Sequence, residues 1–317
     1  MLRKLIASEY LILLICVGYA LVLAFWLPDF ATTGNWLAIL SAMAPLLVVA
    51  CGQTLVMVTG GIDLSVTSTI AVASVCGASL INEETGRLAN TFIATPAAIV
   101  AMLLIGGAIG LLNGLVITRL RMPPFIVTLT GMMFFSGLAI WMTQSQPIYG
   151  LPDSFLVFGG RTAYAIALAG LVCVSAHLIL SRTVLGRWLF AIGHNPRTAE
   201  VCGIPVSGVL IMAYVFSGLS AAMASILITG RMETGSPVHW QGNLLDIIGA
   251  VVIGGTSLYG GRGKVTWTVF GVLFLALLDN SLNLVNFSYF TIMMVKGGVI
   301  LAASALDALR ARVLSAD

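Results

Sequence analysis

The chain has 317 residues, of which 59% are hydrophobic and 9% are charged, and its formal net charge is +3. An average soluble domain carries roughly 25% charged residues, so this chain has too few charges to cover the surface of a water-soluble fold. The composition therefore excludes a soluble globular protein. The small net charge gives no indication of nucleic-acid binding, and we expect no nucleic-acid partner.

Long charge-free runs indicate membrane-spanning helices. Crossing the hydrocarbon core as a helix takes about 20 apolar residues, and the runs from Leu88 to Thr118 and from Val201 to Gly230 exceed that length. Backbone polar groups in lipid must be bonded within their own segment, which makes these runs helical. The predicted fold class is all-α, a polytopic transmembrane helical bundle. We predict a single domain over 1–317 with about ten spans, at 11–27, 36–58, 64–81, 95–117, 124–142, 163–181, 208–229, 245–259, 265–284 and 289–306.

The basic residues predict the orientation of these spans. Lys and Arg near span ends are retained on the cytoplasmic side, and with a cytoplasmic N-terminus eleven of the fifteen lie on that side. We therefore expect a multi-pass protein of the bacterial inner membrane, embedded in the lipid bilayer with both termini in the cytoplasm. The eleven are Arg3, Lys4, Arg119, Arg121, Arg182, Arg187, Arg197, Arg262, Lys264, Arg310 and Arg312.

Two glycine-rich segments interrupt the apolar pattern. Gly60 and Gly61 permit backbone angles that end a helix, and Asp63 can cap the helix that follows. A second segment, 254–264, contains two further glycine pairs. We expect broken or re-entrant helices near 59–63 and 254–264. The first break is either a capped interruption without substrate contact or a part of the transport path, as discontinuous helices are in other transporters.

Polar side chains within the spans are the candidates for a substrate pathway. They are Gln53, Asp63, Asn113 and Thr128. Ionisable residues inside a membrane usually face the bundle interior and pair with one another. Asp279 and Lys296 lie at comparable depth on adjacent antiparallel spans, which predicts a structural ion pair. A proton or ion relay is the alternative role for these two residues.

The sequence contains no pattern of a nucleophile beside a base, so we expect no catalytic residues and no enzyme activity. Gly263 and Lys264 do not form a phosphate-binding loop, because Leu258 occupies the place of the required glycine and Val265 that of Ser or Thr. We therefore expect no cofactor, and any ATP is bound by a partner subunit. We also expect no metal site, because the three histidines are far apart in the topology, at His177, His194 and His239.

The longest internal loop on the predicted cytoplasmic side is 182–207. Asn195 is a suitable N-cap, Pro196 suits the first helical position and Gly203 suits a helix end. These signals predict a short helix outside the bilayer. It is either an ordinary connector or a docking element for a cytoplasmic partner that pushes on the membrane helices.

Four segments, in this order, resemble a known family. They are Gly60 to Ser65, then Asn113 and Gly114 with Pro123 to Leu129, then the loop residues from Gly186 to Ile204, and then Gly254 to Gly261 with Asn283, Leu284, Lys296 and Gly297. With these segments the chain is similar to the permease subunits of ribose-type importers driven by ATP-binding cassettes, within the branched-chain amino acid and ribose permease superfamily. It departs from that family at Thr67, His194, Glu200 and Asp279, where the family has glycine, glycine, a basic residue and an amide.

The resemblance implies a permease that moves a monosaccharide across the inner membrane. It also implies a second permease chain, identical or related, together with a cytoplasmic ATPase and a periplasmic sugar-binding protein. The loop would receive the ATPase, and ATP hydrolysis would drive alternating access through it. The resemblance assigns this coupling role to Arg187, Gly193, His194, Asn195, Ala199, Glu200 and Gly203.

Three other functions fit parts of the sequence. A permease for nucleosides, branched-chain amino acids or a sugar-derived signal would share the general design. An ion-coupled secondary transporter would use buried carboxylates such as Asp63, Asp246 or Asp279 and would need no ATPase. An integral membrane enzyme would need a catalytic cluster, which the sequence lacks.

Overall fold

A computed structural model describes residues 10–238 and 240–314. The predicted residues Arg3, Lys4 and His239 lie outside this part of the chain. Within it the fold is all-α, as predicted, with one 3₁₀ turn at Gln241–Asn243 and one isolated β-bridge. The helices are α1 (Leu11–Trp26), α2 (Thr33–Val58), α3 (Val66–Ile81), α4 (Ala94–Arg119), α5 (Pro124–Thr143), α6 (Asp153–Gly160), α7 (Thr162–Arg182), α8 (Val184–His194), α9 (Pro196–Val201), α10 (Val206–Met232), α11 (Leu244–Ile253), α12 (Val265–Leu284) and α13 (Tyr289–Leu314).

Each predicted span corresponds to one of these helices. Six helices are long and apolar enough to cross a membrane, namely α2, α4, α5, α7, α10 and α12. Four shorter apolar helices, α1, α3, α11 and the apolar part of α13, match the other four spans. At 1.5 Å per residue α3 is about 24 Å long and α11 about 15 Å, both below the roughly 30 Å of hydrocarbon.

The structure differs from the prediction in four features. The predicted span 245–259 is wrong as a continuous helix, because α11 ends at Ile253, two residues before Gly255 adopts a φ of +83°. The loop 182–207 contains two helices, α8 and α9, where we predicted one. Helix α6 was not predicted, and α13 continues beyond 306 to Leu314.

Helices α2 and α10 lie at the centre of the bundle. Every residue of α2 from Met43 to Val58 is buried, which is typical of a helix packed on all sides. Helix α10 makes its most extensive contacts with α4 and α2, and it also contacts α3 and α6. The two breaks in the helical pattern flank this centre, since one follows α2 and the other precedes α12, which packs against α2.

Helix α4 presents three glycines to α10. A Cβ atom added at Gly106 would overlap the carbonyl oxygen of Gly218, and one added at Gly110 would overlap that of Tyr214. At Gly114 it would lie 2.8 Å from the Cα of Ile211. This spacing of small residues lets two membrane helices approach backbone to backbone.

The loops form two separate groups that agree with the predicted sidedness. In the predicted outer group, Ile148 and Gly235 pair through backbone hydrogen bonds of 2.8 and 2.9 Å, and Asn82 donates to the carbonyl of Tyr149. In the predicted inner group, the N–H of Gly261 donates to the carbonyl of Val58 at 2.8 Å. Segments assigned to the same side thus contact one another.

Candidate functional site

The first break, 59–65, is organised around the carboxylate of Asp63. Its Oδ1 accepts hydrogen bonds from the N–H of Ser65 at 3.0 Å and from the Ser65 hydroxyl at 2.6 Å. Its Oδ2 accepts from the hydroxyl of Ser217 on α10 at 2.8 Å. The Asp63 side chain thus holds Ser65, the N-cap residue of α3, and ties the break to the central helix. The predicted cap by Asp63 is wrong, because its carboxylate bonds Ser65 itself and no side chain in the described part of the chain bonds the N–H groups of the first turn of α3.

The other three predicted pathway residues reach the same break. The side-chain amide of Gln53 can pair with the backbone of Asp63, donating to its carbonyl and accepting from its N–H, both at 3.2 Å. The Thr128 hydroxyl donates to the carbonyl of Ile62 at 3.0 Å. Asn113 donates from Nδ2 to the Ser65 hydroxyl at 2.8 Å. Residues from α2, α4 and α5 therefore converge on one short segment.

These contacts satisfy backbone groups that would otherwise lack partners. Irregular backbone at membrane depth is tolerated where protein surrounds it and pairs its polar groups. The four side chains are 0–2% exposed. In this conformation they secure the break, and their role along a substrate path remains a prediction.

Of the four, Asn113 also lines a cavity. The cavity has a volume of about 250 Å³ and lies between α4 and α5. Its other walls are mainly apolar and aromatic, and they are formed by Leu112, Val116, Met122, Val127, Thr130, Gly131, Phe134 and Phe135. A polar cavity of about 300 Å³ lies among the loops of the predicted outer group, between residues 82–85 and 147–150.

Tyr214 of α10 packs against the break. Its hydroxyl is buried and has no hydrogen-bond partner in the part of the chain that the structure describes. A Cβ atom added at Gly61 would lie 2.6 Å from this hydroxyl. The break therefore requires glycine at position 61 because the tip of the Tyr214 ring fills the adjacent space.

This packing predicts a rescue between two positions. We expect Gly61→Ala to lower the free energy of unfolding by about 1–3 kcal/mol through overpacking. Tyr214→Phe should be nearly neutral because it removes a hydroxyl without a protein partner, and the double variant should recover most of the loss. Thermal unfolding of the detergent-purified variants measures this. Gly137→Ala is the control, since nothing lies within 4 Å of its Cβ position, and a double variant no more stable than Gly61→Ala would contradict the assignment.

The second break, 254–264, is a compact turn between α11 and α12. The N–H of Ser257 donates to the carbonyl of Arg262 at 3.0 Å, and the N–H of Gly260 donates to that of Ser257 at 3.2 Å. The N–H of Gly261 donates to the carbonyl of Val58, the last residue of α2, directly before the first break. The Tyr259 side chain is 80% exposed. The predicted interruption is thus present and abuts the first.

The predicted coupling segment consists of α8 and α9. Asn195 caps α9, accepting from the N–H groups of Arg197 at 3.0 Å and Thr198 at 3.1 Å. Leu189 and Ile192 are buried against the bundle core. Of the residues assigned to ATPase coupling, Ala199 is buried and Gly193 is half-buried, whereas five are exposed, namely Arg187, His194, Asn195, Glu200 and Gly203.

The predicted partners Asp279 and Lys296 lie in contact, together with a third residue. Lys296 Nζ lies 2.7 Å from Asp279 Oδ1 and 3.0 Å from Asp246 Oδ2. The side chains of Lys296 and Asp246 are 17% and 14% exposed, and that of Asp279 is 45% exposed. One ammonium group therefore joins carboxylates from α11 and α12 to α13.

This cluster predicts an order of damage among charge variants. We expect Lys296→Met to be the most destabilising single change, by about 2 kcal/mol, because it leaves two carboxylates facing each other without a cation. Asp279→Asn should be mild because Asp246 still pairs with the lysine. Lys296→Met combined with Asp246→Asn should be milder than Lys296→Met alone. Thermal unfolding in detergent orders the three variants, and equal losses in all of them would contradict the cluster.

Sequence reasoning missed three residues of the site. Ser217 is a hydroxyl within an apolar helix, and only its spacing from Ser225 and Thr229 on α10 indicates a polar face. Ser225 donates to the carbonyl of Ile70, and Thr229 bonds the Ser74 hydroxyl. No feature of the sequence indicated that Tyr214 contacts the break. Asp246 was recognised as an intramembrane carboxylate but was not assigned to the ion pair.

An all-α bundle with two interrupted helices, a polar cluster at one interruption and an amphipathic loop helix defines a multi-pass membrane transport protein. The chain belongs to the family described as branched-chain amino acid transport system, permease component, whose model matches residues 35–304. The family that the sequence motifs resemble is thereby confirmed.

Several characterised permeases are similar over most of the chain. The ribose import permease protein RbsC of Bacillus subtilis is 38% identical over 286 residues, covering 88% of this chain and 86% of that protein. Its counterpart in Escherichia coli K12 is 35% identical, covering 88% and 87%. The L-arabinose transport system permease protein AraH of Escherichia coli is 33% identical over 312 residues, covering 95% and 90%. No solved structure matches the chain.

Proposed function

We propose that this chain is the membrane-spanning permease subunit of an ATP-driven importer for a monosaccharide. The observation that carries the proposal is the similarity, over 88–95% of the chain, to proteins named as ribose and L-arabinose permeases. The two helix breaks and the exposed loop helices are the parts that such a role would use. The chain supplies the path, and partner subunits supply energy and delivery.

The energy comes from a separate cytoplasmic ATPase in this proposal. Helix α8 buries Leu189 and Ile192 and α9 buries Ala199, while Arg187 and Glu200 are exposed. A segment of this kind offers a partner an exposed binding surface while its buried side chains keep it packed against the membrane helices. The chain itself neither binds nor hydrolyses ATP.

The solute crosses between two permease chains, identical or related, after a periplasmic sugar-binding protein delivers it. Asn113 and the cavity beside it support a place for the solute in this chain, because an amide with aromatic neighbours suits a sugar. Sugars present hydroxyl edges for hydrogen bonds and apolar faces that pack on aromatic rings, and binding sites combine few polar groups with apolar walls. Substrate choice rests largely with the soluble binding protein.

In the proposed orientation, both termini and the α8–α9 segment lie in the cytoplasm. Cys202, just after α9, is the exposed cysteine among the described residues. We expect a membrane-impermeant thiol reagent to label Cys202 in inverted vesicles and not in intact cells. Cys202→Ser is the blank, and Glu84→Cys in that background should label in intact cells, because residue 84 is exposed on the predicted outer side. Labelling of Cys202 in intact cells would refute this orientation.

The transport function is tested by reconstitution. A tagged chain should co-purify with an ATPase and a second permease chain, and proteoliposomes of this complex should take up a monosaccharide only with ATP and the binding protein present. Ribose, L-arabinose and allose are the first candidates, since relatives are named for them. Uptake by the chain alone, driven by an ion gradient, would instead favour a secondary transporter and refute the proposal.

A further inference from the structure

Four glycines from three distant segments meet at one point. They are Gly60 of the first break, Gly193 of α8, and Gly260 and Gly261 of the second break, and we name them the glycine junction. The Gly261 N–H donates to the carbonyl of Val58 at 2.8 Å, which fastens the second break to the end of α2, directly before the first break. The contact therefore joins parts of the chain that are more than sixty residues apart.

The junction leaves no room for a Cβ atom at Gly193 or Gly260, whereas one added at Gly60 would lie 3.5 Å from the Tyr259 carbonyl oxygen. A Cβ atom added at Gly193 would overlap the carbonyl oxygen of Val58 and the backbone nitrogen of Gly261. One added at Gly260 would lie 2.7 Å from the Gly60 nitrogen and 3.0 Å from the Gly193 carbonyl oxygen. The three segments thus touch through their backbones.

Backbone contact makes the junction stiff. Side chains between two elements can absorb a displacement by changing rotamer, but closely packed backbone atoms cannot. Gly60, Gly260 and Gly261 have φ values of +82°, +84° and +73°, where glycine adopts turns that other residues adopt at a cost. A shift of α8 therefore presses directly on the turns of both breaks.

The junction lies where the coupling segment ends. Gly193 is the penultimate residue of α8, and His194 follows it with an exposed side chain. A Cβ atom added at Gly261 would lie 2.7 Å from the His194 Nδ1 atom, so the imidazole also rests against the second break. His194, on the surface proposed to receive the ATPase, thus directly follows Gly193 of the glycine junction in the chain.

We propose that the glycine junction is the joint through which ATPase-driven movement of α8 reaches the two helix breaks and, through them, the solute path. Gly193, Gly260 and Gly261 are then positioning residues for transport, and His194 transmits the same push to Gly261. This inference rests on the proposed function. It attributes the transfer of movement from the ATPase to the backbone contacts of the glycine junction, and not to the loop 182–207 as a whole.

The test uses Gly193→Ala in the complete reconstituted complex of permease, ATPase and binding protein. Uptake is expressed per ATP hydrolysed by the assembled complex, so that a change in assembly or in basal hydrolysis does not count as uncoupling. Uptake per ATP hydrolysed should fall at least about tenfold, within the range usual for coupling between sites. Stimulation of hydrolysis by the loaded binding protein should fall with it.

Two matched variants separate coupling from packing. Gly186 lies on the same helix, and its added Cβ would overlap the carbonyl of Leu180 on α7, away from the breaks. Nothing lies within 4 Å of the Cβ position at Gly208. We expect Gly186→Ala to lower stability but keep uptake per ATP, and Gly208→Ala to resemble the wild type. Equal uncoupling by Gly186→Ala would overturn the proposal.

A second pair covers the case in which Gly193→Ala does not assemble. Gly261→Ala should uncouple the complex because its methyl group meets the His194 ring, and Gly261→Ala with His194→Ala should recover part of the uptake per ATP. Wild-type coupling in Gly261→Ala, or no recovery in the double variant, would overturn the junction. A wild-type complex without ATP-dependent uptake would instead refute the proposed function, so the two failures are distinguishable.

Discussion

The structure depends on the pairing of backbone polar groups in the largely buried break between α2 and α3. A spanning helix satisfies its own N–H and C=O groups, but the segment 59–65 does not, and an unpaired polar group in an apolar environment is costly. The chain meets this requirement with side chains from α2 and α5 and with the Asp63 carboxylate, which Ser217 of α10 holds in place. Gln53 can pair with the backbone of Asp63, Thr128 bonds the carbonyl of Ile62, and the Asp63 carboxylate accepts from Ser65 and from Ser217. The interruption is therefore a stabilised part of the fold, because these hydrogen bonds hold it in one conformation.

This requirement explains why the polar residues chosen as pathway candidates lie together. A buried polar side chain needs a partner, and the break offers the unpaired groups that supply one. The same contacts set the geometry of α3, which is too short to cross the bilayer by itself. A movement of the break would have to exchange several of these hydrogen bonds at once, which favours two discrete arrangements over a continuous deformation. Such bistability suits alternating access, because packed elements switch between states rather than bending gradually.

Much of the fold could be predicted because lipid imposes simple rules on a sequence. The apolar runs predicted the apolar helices, and the glycine pairs predicted both breaks. The predicted span 245–259 overran the end of α11 at Ile253 because the uncharged run continues to Gly261 and hydropathy does not register a turn, whereas the break predicted at 254–264 begins at the correct residue. The contact of Ser217 with Asp63 and of Asp246 with Lys296 depends on how distant helices are arranged, and the sequence carries no local trace of it. The glycine junction was likewise hidden, since its four members came from motifs that gave no indication of meeting.

The glycine face between α4 and α10 joins two helices of the bundle backbone to backbone. Gly106 and Gly110 bring the two backbones into direct contact, and α10 also holds α3 through the bond from Ser225 to Ile70. Helices α3, α4 and α10 therefore form a rigid frame, and we expect little relative motion among them. The turns that precede α3 and α12 lie outside this frame, where Gly60, Gly260 and Gly261 hold positive φ values. In such a permease α3, α4 and α10 would move as one body, and a rearrangement of the solute path would begin with a change of backbone angles at these glycines.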